Sequence, residues 1–331
     1  MQVFHGLRHA GPVTGPGCAV TIGNFDGVHR GHQAMLALLN SEARHRAVPS
    51  CVLTFEPHPR DFFAAQARSM GRAAEAPARI ATLRDKLAEL ERCGIEQAVV
   101  LRFDARFAAQ SPQAFVDDML VRGLGARYVL VGDDFCFGAK RAGDYAMLDA
   151  AGQVQPPAQR FDVARMLSYE VRGQRVSSSA VRDALAAGDI PRAAALLGRP
   201  NSISGHVVHG QKLGRELGFR TLNLRFGHVR PAAMGIFVVQ VHGLTADSKP
   251  LCGVASLGVR PTVDESGRVL LETHCLDWPE SLGTDGGYGR CIRVELLHKL
   301  HDELRYDGLD TLRAGIARDE IDARAWLATR V

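Results

Sequence analysis

The residues best suited to phosphate chemistry lie in one run, Gly23–His32, which reads Gly-Asn-Phe-Asp-Gly-Val-His-Arg-Gly-His. Its histidines, His29 and His32, are three apart where a helix is predicted to begin, so they would share one face. The glycines would let the backbone approach a phosphate closely. Because a buried strand ends just before the run, it lies where an open α/β sheet usually binds an anion. A solvated glycine-rich turn is the alternative, but the His-x-Gly-His pattern favours phosphate handling.

Three later segments of the first half carry further polar groups and prolines. They are Thr54–Pro59, Val131–Gly138 and Val176–Arg182. The last segment places serines just before a predicted helix, where their hydroxyls can cap it.

The second half contains its own candidate phosphate site. Gly205–Phe219 has glycines spaced for a flap that covers phosphates, and Thr221 and Asn223 follow directly. Because these two residues are two apart, they would lie on one face of a strand, where their oxygens could reach Mg²⁺ and phosphate. A surface strand with polar residues outward is the alternative. Further on, Glu272 lies in the strand-like run Leu271–Asp277.

The elements around these residues predict an α/β chain with two domains. Apolar runs alternate with helical stretches in the first half, which indicates βαβ units and a Rossmann-like domain with a parallel sheet. Beyond Gly188 come strand-like runs separated by Gly and Pro turns, which is the pattern of a small antiparallel β-barrel. Gly308–Leu327 has the spacing of an amphipathic helix that covers one barrel face. We therefore expect domains of residues 1–187 and 188–331.

Composition excludes several classes of protein. The chain of 331 residues is 46% hydrophobic and 23% charged, as in globular proteins, and no segment approaches the ~20 apolar residues of a membrane helix. The N-terminus lacks the apolar region of a secretory signal, so we expect a cytoplasmic protein. Seven scattered cysteines suit reduced thiols. A net charge of +4 suits anionic small molecules as easily as nucleic acid, so the charge alone decides nothing. No basic stripe with interleaved aromatic residues is present, and we expect no nucleic acid partner and no membrane partner.

With these motifs in order, the chain resembles the His-x-Gly-His nucleotidyltransferases, and more narrowly the prokaryotic bifunctional riboflavin kinase/FAD synthetases. The resemblance covers Thr21 to Leu327. It implies two reactions that both consume ATP: riboflavin is phosphorylated to FMN in the C-terminal domain, and FMN is adenylylated to FAD in the N-terminal domain. It also implies Mg²⁺ as cofactor. Oligomeric state, including weak self-association, is left open.

For adenylyl transfer the resemblance assigns His29, His32 and Arg182 to catalysis. It implies that the histidines contact the ATP phosphates, while Arg182 and two serines hold the outgoing phosphates. The implied ATP-binding residues are Gly23, Asn24, Phe25, Asp26, Gly31, Asp134, Ser178 and Ser179. Pro57, Pro59 and Phe137 are the implied flavin-binding residues, with ordinary turn and core packing as the alternative.

For the kinase reaction the resemblance makes Glu272 the catalytic base. The implied ATP-binding and magnesium-binding residues are Gly210, Lys212, Gly214, Thr221 and Asn223, of which Thr221 and Asn223 would contact the metal. Arg220 and Leu222 depart from the Pro-Thr-Ala-Asn pattern of the family, and Asp134 replaces its more usual Asn. An adenylyltransferase with an inactive kinase module is thus one alternative. A non-catalytic flavin carrier and an adenylyltransferase for nucleic acid are the others.

Overall fold

A computed structural model describes residues 1–7, 17–171, 173–209, 218–227, 230–245, 249–259, 269–283 and 285–330. By their contacts these residues form two compact units, one from residues 1–77 and 86–176 and the other from residues 78–85 and 177 onward. Gly188, where the sequence predicts a domain boundary, thus lies inside the second unit. The division into functional domains at that residue stays a prediction.

The first unit is built on a parallel sheet of six strands. The strands are β1 (Gln2–His5), β2 (Cys18–Ile22), β3 (Ser50–Glu56), β4 (Gln97–Arg102), β5 (Ala126–Gly132) and β6 (Asp162–Met166). Their order across the sheet is β1-β4-β3-β2-β5-β6, and every neighbouring pair is parallel. The strand order reverses between β2 and β5, which makes the crevice at their carboxyl ends the expected ligand site. The Rossmann-like prediction is confirmed.

Helices cover the sheet on both faces. They are α1 (Arg30–His45), α2 (Pro59–Ser69), α3 (Leu83–Arg92), α4 (Ala105–Ala108), α5 (Pro112–Ala114, continued by a π-helix over Phe115–Gly123) and α6 (Tyr145–Gln153). Along β2, Val20 and Ile22 enter one apolar cluster while Ala19 enters another on the opposite face. A strand buried on both faces is typical of a parallel sheet between helices. The chain also forms a two-stranded hairpin from β7 (Glu170–Val171) and β8 (Gln174–Arg175).

The second unit is an antiparallel barrel. Its strands are β9 (Asn201–His206), β10 (Thr221–Gly227), β11 (Gly235–His242), β12 (Leu251–Val259), β13 (Val269–Cys275) and β14 (Cys291–His301). They follow the order β10-β13-β12-β11-β14-β9, and a backbone bridge between Val208 and Asn223 brings the two ends together. The sheet is therefore nearly closed, as the sequence predicts.

Among the described residues, three α-helices belong to the same unit as the barrel: α7 (Ser178–Ala186), α8 (Ile190–Leu197) and α9 (Leu309–Ala328). Ala323 of α9 is fully buried and packs with Val238 and Val254 of the barrel, so the predicted covering helix is confirmed. Two imidazole–carboxylate contacts also hold α9: His274 Nε2 lies 2.6 Å from Glu320 Oε1, and His301 Nε2 lies 2.8 Å from Asp319 Oδ1. Among the described helices, none is both long and apolar enough to cross a membrane.

The segment 78–85 is anchored in the second unit although it lies early in the chain. The Arg79 backbone N–H donates to the Arg230 carbonyl at 2.8 Å, and Asn201 Nδ2 donates to the Ile80 carbonyl at 3.3 Å. The Ser204 N–H donates to Asp85 Oδ1 at 3.1 Å. Asp85 belongs to the first turn of α3, so the chain passes from the second unit to the first within this helix.

Candidate active sites

The loop between β2 and α1 is held in an unusual backbone conformation. Phe25 and Val28 have φ angles of 47° and 42°, in the left-handed region, and both side chains are buried. This region is costly for a residue with a β-branched side chain such as Val28. Burial of both side chains holds the loop in this conformation, and Asn24 and Asp26 lie in it just after the carboxyl end of β2.

His29 and His32 lie side by side at the start of α1, as the sequence predicts. The His29 ring caps the helix, because its Nδ1 accepts the His32 backbone N–H at 3.3 Å. This bond places the His29 proton on Nε2. The two rings stack with centroids 3.6 Å apart and planes 16° apart.

The electrostatic surroundings keep His32 uncharged. Burial lowers its pKa well below the usual value, and the neighbouring His29 ring and the Lys86 ammonium group lower it further. Two stacked imidazolium rings would also repel each other. His32 Nδ1 is buried without a hydrogen-bond partner among the described residues, so a polar group of a ligand would satisfy it.

Lys86 on α3 belongs to this neighbourhood, although the sequence analysis does not single it out. Its side chain is 2% exposed, and Nζ lies 3.4 Å from Thr54 Oγ1 of β3. Thr54 Oγ1 in turn lies 3.4 Å from the Asn24 carbonyl oxygen. A lysine in an amphipathic helix normally faces solvent, so the sequence does not mark Lys86 itself. Its one indication is that Thr54, which Lys86 contacts, belongs to the second motif.

The third motif follows β5, at the other side of the strand-order reversal. Asp133 accepts a hydrogen bond from Ser168 Oγ at 2.6 Å, which lowers the pKa of the carboxyl, and it also contacts Arg175. Asp134 is exposed at the end of the strand. Phe137, which the resemblance assigns to flavin binding, is 6% exposed and packs between Phe115 and Phe135. Packing is thus its observed role, and a flavin contact stays a prediction.

The second motif borders a surface cluster of phenylalanines. His58 caps α2, with Nδ1 accepting the Arg60 N–H at 3.1 Å, and Pro59 is the first helical residue. Pro57 beside them is exposed. Five phenylalanine rings contact one another here, and Phe63 is 50% exposed. They are Phe55, Phe62, Phe63, Phe103 and Phe107. The sequence patterns considered above do not predict this cluster. The feature that could have indicated it is that Phe55 and Phe103 lie near the ends of neighbouring parallel strands.

The fourth motif begins α7 in the second unit. Ser177 caps the helix, its Oγ accepting the Ala180 N–H at 3.2 Å, as the sequence predicts. Ser179 is exposed in the first turn. Arg182 Nε donates to the Ala78 carbonyl at 2.7 Å, so the anchored segment 78–85 orients its guanidinium.

In the barrel, Asn223 and Glu272 are direct cross-strand partners of β10 and β13. Ser256 of β12 is the next residue in the same row, and its hydroxyl donates to Glu303 Oε1 at 3.2 Å. Asn223 is 3% exposed, and its Oδ1 has no hydrogen-bond partner among the described residues. A buried amide oxygen without a partner costs about 1–3 kcal/mol, which a bound cation would offset.

Thr221 lies two residues before Asn223 and pairs with His274. His274 Nδ1 lies 2.7 Å from the Arg220 carbonyl oxygen, while its Nε2 contacts Glu320 of α9. This chain of contacts fixes the start of β10. The three remaining predicted residues of this site, Gly210, Lys212 and Gly214, lie outside the described residues.

Comparisons with known proteins cover both halves of the chain. A family model described as FAD synthetase matches residues 12–180, and one described as riboflavin kinase matches residues 197–327. The bifunctional riboflavin kinase/FMN adenylyltransferase of Escherichia coli K12 is 44% identical over 98% of this chain and 97% of its own length. The chain belongs to this family. The similarly named proteins of Pseudomonas fluorescens and Haemophilus influenzae are 43% and 39% identical, each over at least 98% of both chains.

A solved structure supports the fold of the flavin enzyme. A crystal structure described as a macrolide-efflux protein from Streptococcus pneumoniae superposes with a TM-score of 0.72, at 25% identity over 98% of each chain. The two family models cover both units, so the bifunctional riboflavin kinase/FAD synthetase carries one domain of each kind in one chain.

The two departures from the family pattern, Arg220 just before β10 and Leu222 within it, do not belong to the row of Asn223 and Glu272. Leu222 is buried on the opposite face of the strand, in the barrel interior. The Arg220 guanidinium lies 4.8 Å from the ring centroid of Trp278 and donates to the Gly283 carbonyl at 3.0 Å. Both residues thus have structural roles of their own, which leave Thr221 and Asn223 in place.

Proposed function

We propose that this enzyme makes FAD in two steps, with riboflavin phosphorylated on the barrel and FMN adenylylated beside His29 and His32. The observation that carries the kinase assignment is the buried Asn223 Oδ1, which has no hydrogen-bond partner among the described residues and lies across from Glu272 in the strand register. Incubation with riboflavin, ATP and Mg²⁺, followed by chromatography, tests the proposal directly. We expect FMN to accumulate first and FAD to follow, with ADP from the first step and pyrophosphate from the second.

In the kinase step Glu272 acts as general base. Its carboxylate accepts the proton of the riboflavin 5′-hydroxyl while that oxygen attacks the γ-phosphorus of ATP, and ADP leaves. Thr221 and Asn223 fit Mg²⁺, because they offer a hydroxyl and an amide oxygen on one strand face, and that amide oxygen has no partner within the described part of the chain. The bound ion would neutralise charge on the triphosphate. In this proposal the phosphates would be covered by Gly210, Lys212 and Gly214.

In the adenylyl transfer step the protein supplies no nucleophile. A phosphate oxygen of FMN attacks the α-phosphorus of ATP, and the bond to the pyrophosphate oxygen breaks. Uncharged His32 can donate one N–H to a phosphate oxygen, and His29 donates through Nε2 because its Nδ1 is occupied by the cap. Ser178, Ser179 and Arg182 hold the outgoing phosphates, supported by the helix N-terminus of α7. Gly23, Asn24, Phe25, Asp26, Gly31 and Asp134 form the remaining ATP contacts.

The flavin ring of FMN would lie against the surface around Pro57 and Pro59. The exposed Phe63 and its neighbours offer flat apolar area next to these prolines, which suits a large aromatic ring system. Phe137 would support this surface from the core rather than line it. Loss of FMN affinity in Phe62→Ala, with unchanged riboflavin phosphorylation, would support this location.

An enzyme with an inactive kinase module is the alternative that Arg220 and Leu222 raise. Their positions away from Asn223 argue against it. FAD formed from supplied FMN, without any FMN formed from riboflavin, would establish the alternative. A non-catalytic carrier would give neither product.

We propose that the enzyme works in the cytoplasm, where ATP is available and where free cysteines such as those of this chain stay reduced. Small molecules are its proposed partners: ATP, riboflavin and FMN. Sedimentation of the purified protein measures whether it also self-associates weakly.

A further inference from the structure

Glu303 is an acidic residue beside the proposed kinase site to which the two reactions described above assign no role. It follows β14, and the chain reaches it by crossing the start of β11. Gly235 leaves room for this crossing, because an added Cβ there would lie 2.6 Å from the His301 carbonyl oxygen. Glu303 then lies against β12, where an added Cβ on Gly258 would overlap its carboxyl group. The two glycines thus let the chain carry this carboxyl onto the outer face of the barrel.

This placement brings Glu303 next to the row that contains Glu272. Asn223, Glu272 and Ser256 follow one another across β10, β13 and β12. The Ser256 hydroxyl donates to Glu303 Oε1 at 3.2 Å, and Gly258 is two residues further on the same strand face. Burial against the sheet raises the pKa of Glu303, the bond from Ser256 lowers it, and the nearby Glu272 raises it. Two carboxyl groups therefore lie close together at one end of the row.

The charges along the row determine which substrate group suits each end. Two carboxylates repel a triphosphate, whereas Thr221 and Asn223 offer neutral oxygens that suit a metal ion and its phosphates. The Asn223 amide oxygen at that end is buried and has no partner among the described residues. At the other end, a carboxylate accepts hydrogen bonds from neutral hydroxyl groups, and Glu303 is exposed, so a ligand can reach it.

Riboflavin carries such hydroxyl groups next to its reacting atom. Its ribityl chain has further hydroxyls beside the 5′-hydroxyl, whose proton Glu272 accepts in the proposed kinase step. We propose that Glu303 binds these inner hydroxyls and thereby makes the kinase selective for flavins with a polyhydroxylated chain. The ribityl chain then runs from Glu272 toward Ser256, with the triphosphate on the Asn223 side. This inference rests on the proposed kinase function.

The experiment compares riboflavin with an isoalloxazine that carries a 5-hydroxypentyl chain, which keeps the terminal hydroxyl and lacks the inner ones. The KM for riboflavin and the inhibition constant of this analogue against riboflavin phosphorylation are measured on the full chain. We expect Glu303→Ala to raise the KM for riboflavin about 10-fold or more, as for lost hydrogen bonds to a charged group, and to leave the inhibition constant unchanged. Glu303→Gln keeps an acceptor oxygen and should restore part of the preference for riboflavin.

Two further variants separate the position of the carboxyl from its presence. Gly258→Ala keeps Glu303 but displaces its carboxyl, so it should show the same selective loss of riboflavin affinity. Glu280→Gln is the matched control, because Glu280 is an exposed glutamate of the same unit outside the row, and it should change neither constant. The melting temperature of each variant is measured alongside, and FAD synthesis from supplied FMN should keep its wild-type rate.

Several outcomes would overturn the inference. Equal weakening of both flavins in folded Glu303→Ala would mean a general structural role, and a higher Mg²⁺ requirement with an unchanged KM for riboflavin would mean a role at the metal. Wild-type enzyme that binds the analogue as tightly as riboflavin would also contradict it. If Glu303→Ala does not fold, an unchanged ratio of the two constants in Glu303→Gln would refute the inference. Wild-type protein that makes no FMN would instead refute the proposed kinase function, and the inference with it.

Discussion

Asn223 and Glu272 are cross-strand partners in the β10–β13 pair, and the Asn223 amide oxygen has no hydrogen-bond partner among the described residues. Neither residue is informative alone, since polar residues on strand surfaces are common. Their register places them in one row, and we propose that they belong to one site. The proposed kinase site can therefore be tested by substitutions that change a single functional group.

Replacing Glu272 by Gln tests the general base. The amide keeps the size and hydrogen bonding of the side chain but cannot accept the proton, so riboflavin phosphorylation should fall by ~10²–10⁴. Riboflavin binding and FAD synthesis from supplied FMN should be unchanged. Both half-reactions are measured on the same preparation. A Glu272→Gln enzyme with full kinase activity would require a different base.

Replacing Asn223 by Ala tests the metal assignment. We expect the Mg²⁺ concentration for half-maximal kinase activity to rise and the rate to fall about 10-fold or more. Stability should change little, because Asn223 Oδ1 makes no hydrogen bond to the described residues. Thr273→Val is the control: the Thr273 hydroxyl is likewise buried without a described partner, on the interior face of the neighbouring strand. This variant should unfold at equal or higher urea concentration and keep both activities. An unchanged Mg²⁺ dependence in Asn223→Ala would refute the assignment.

His29 has two roles that substitution can separate. Asparagine is a good helix cap, so His29→Asn should keep the stability of α1, whereas His29→Ala should lose roughly 1 kcal/mol. Both variants, like His32→Ala, should lose most FAD synthesis and retain FMN synthesis, because the imidazole is gone. Asp144→Ala removes a comparable cap from α6, outside the motifs, and should leave both activities intact. If the rate of FAD synthesis fell only in the variants that lose stability, helix capping alone would account for the effect of replacing His29.

The sequence predicts most of the fold because the apolar periodicity is strong where strands are buried. The apolar run Gly235–His242 predicts a strand with the bounds of β11, the run Cys18–Phe25 contains β2, and the run Tyr128–Val131 lies within β5. β1 and β6 are missed because they carry exposed residues at the edges of the sheet, where the apolar pattern is weak. The segment 78–85 could not be predicted to pack with the second unit, since nothing local in it encodes a partner more than a hundred residues away.

The residues of the candidate sites likewise fall into those that the sequence indicates and those that only the tertiary structure reveals. His29, His32, Thr221 and Asn223 are recognisable from residue type and spacing, because each pair shares one loop or one strand face, and we propose that they act on phosphate. Lys86 looks like any lysine of an amphipathic helix, and only tertiary packing shows that it is buried.

The anchored segment 78–85 leads to a prediction about fragments. Residues 1–187 alone would lack Asn201, Ser204 and Arg230, each of which donates or accepts a hydrogen bond to this segment. Since each lost bond costs about 1 kcal/mol, we expect the fragment to melt earlier and to make FAD slowly. Asn201→Ala in the full chain should show a milder effect of the same sign. A fragment that makes FAD at the full rate would show that Gly188 is also a structural boundary.

The contact between His301 and Asp319 predicts how the stability of the barrel unit depends on pH. Burial disfavours the charged form of His301, but hydrogen bonds to Asp319 and to the Asp302 backbone outweigh this effect and raise its pKa. Burial raises the pKa of Asp319, and the His301 contact offsets this only in part. Both ions therefore lose hydration, so the pair should contribute only about 1 kcal/mol to the free energy of unfolding.

The sign follows from the raised pKa of His301. The contribution of His301 to stability is fully present below its pKa in the unfolded chain, about 6.5. It is lost as the pH rises through its higher pKa in the folded protein. His301→Gln keeps a neutral donor toward Asp319 but removes the charge. The difference in free energy of unfolding between wild type and variant should thus be largest near pH 6 and should shrink by pH 9. Urea unfolding followed by tryptophan fluorescence measures it, because both tryptophans of the chain, Trp278 and Trp326, belong to this unit. A difference that grows with pH would mean that the cost of burying the imidazolium exceeds its attraction to Asp319.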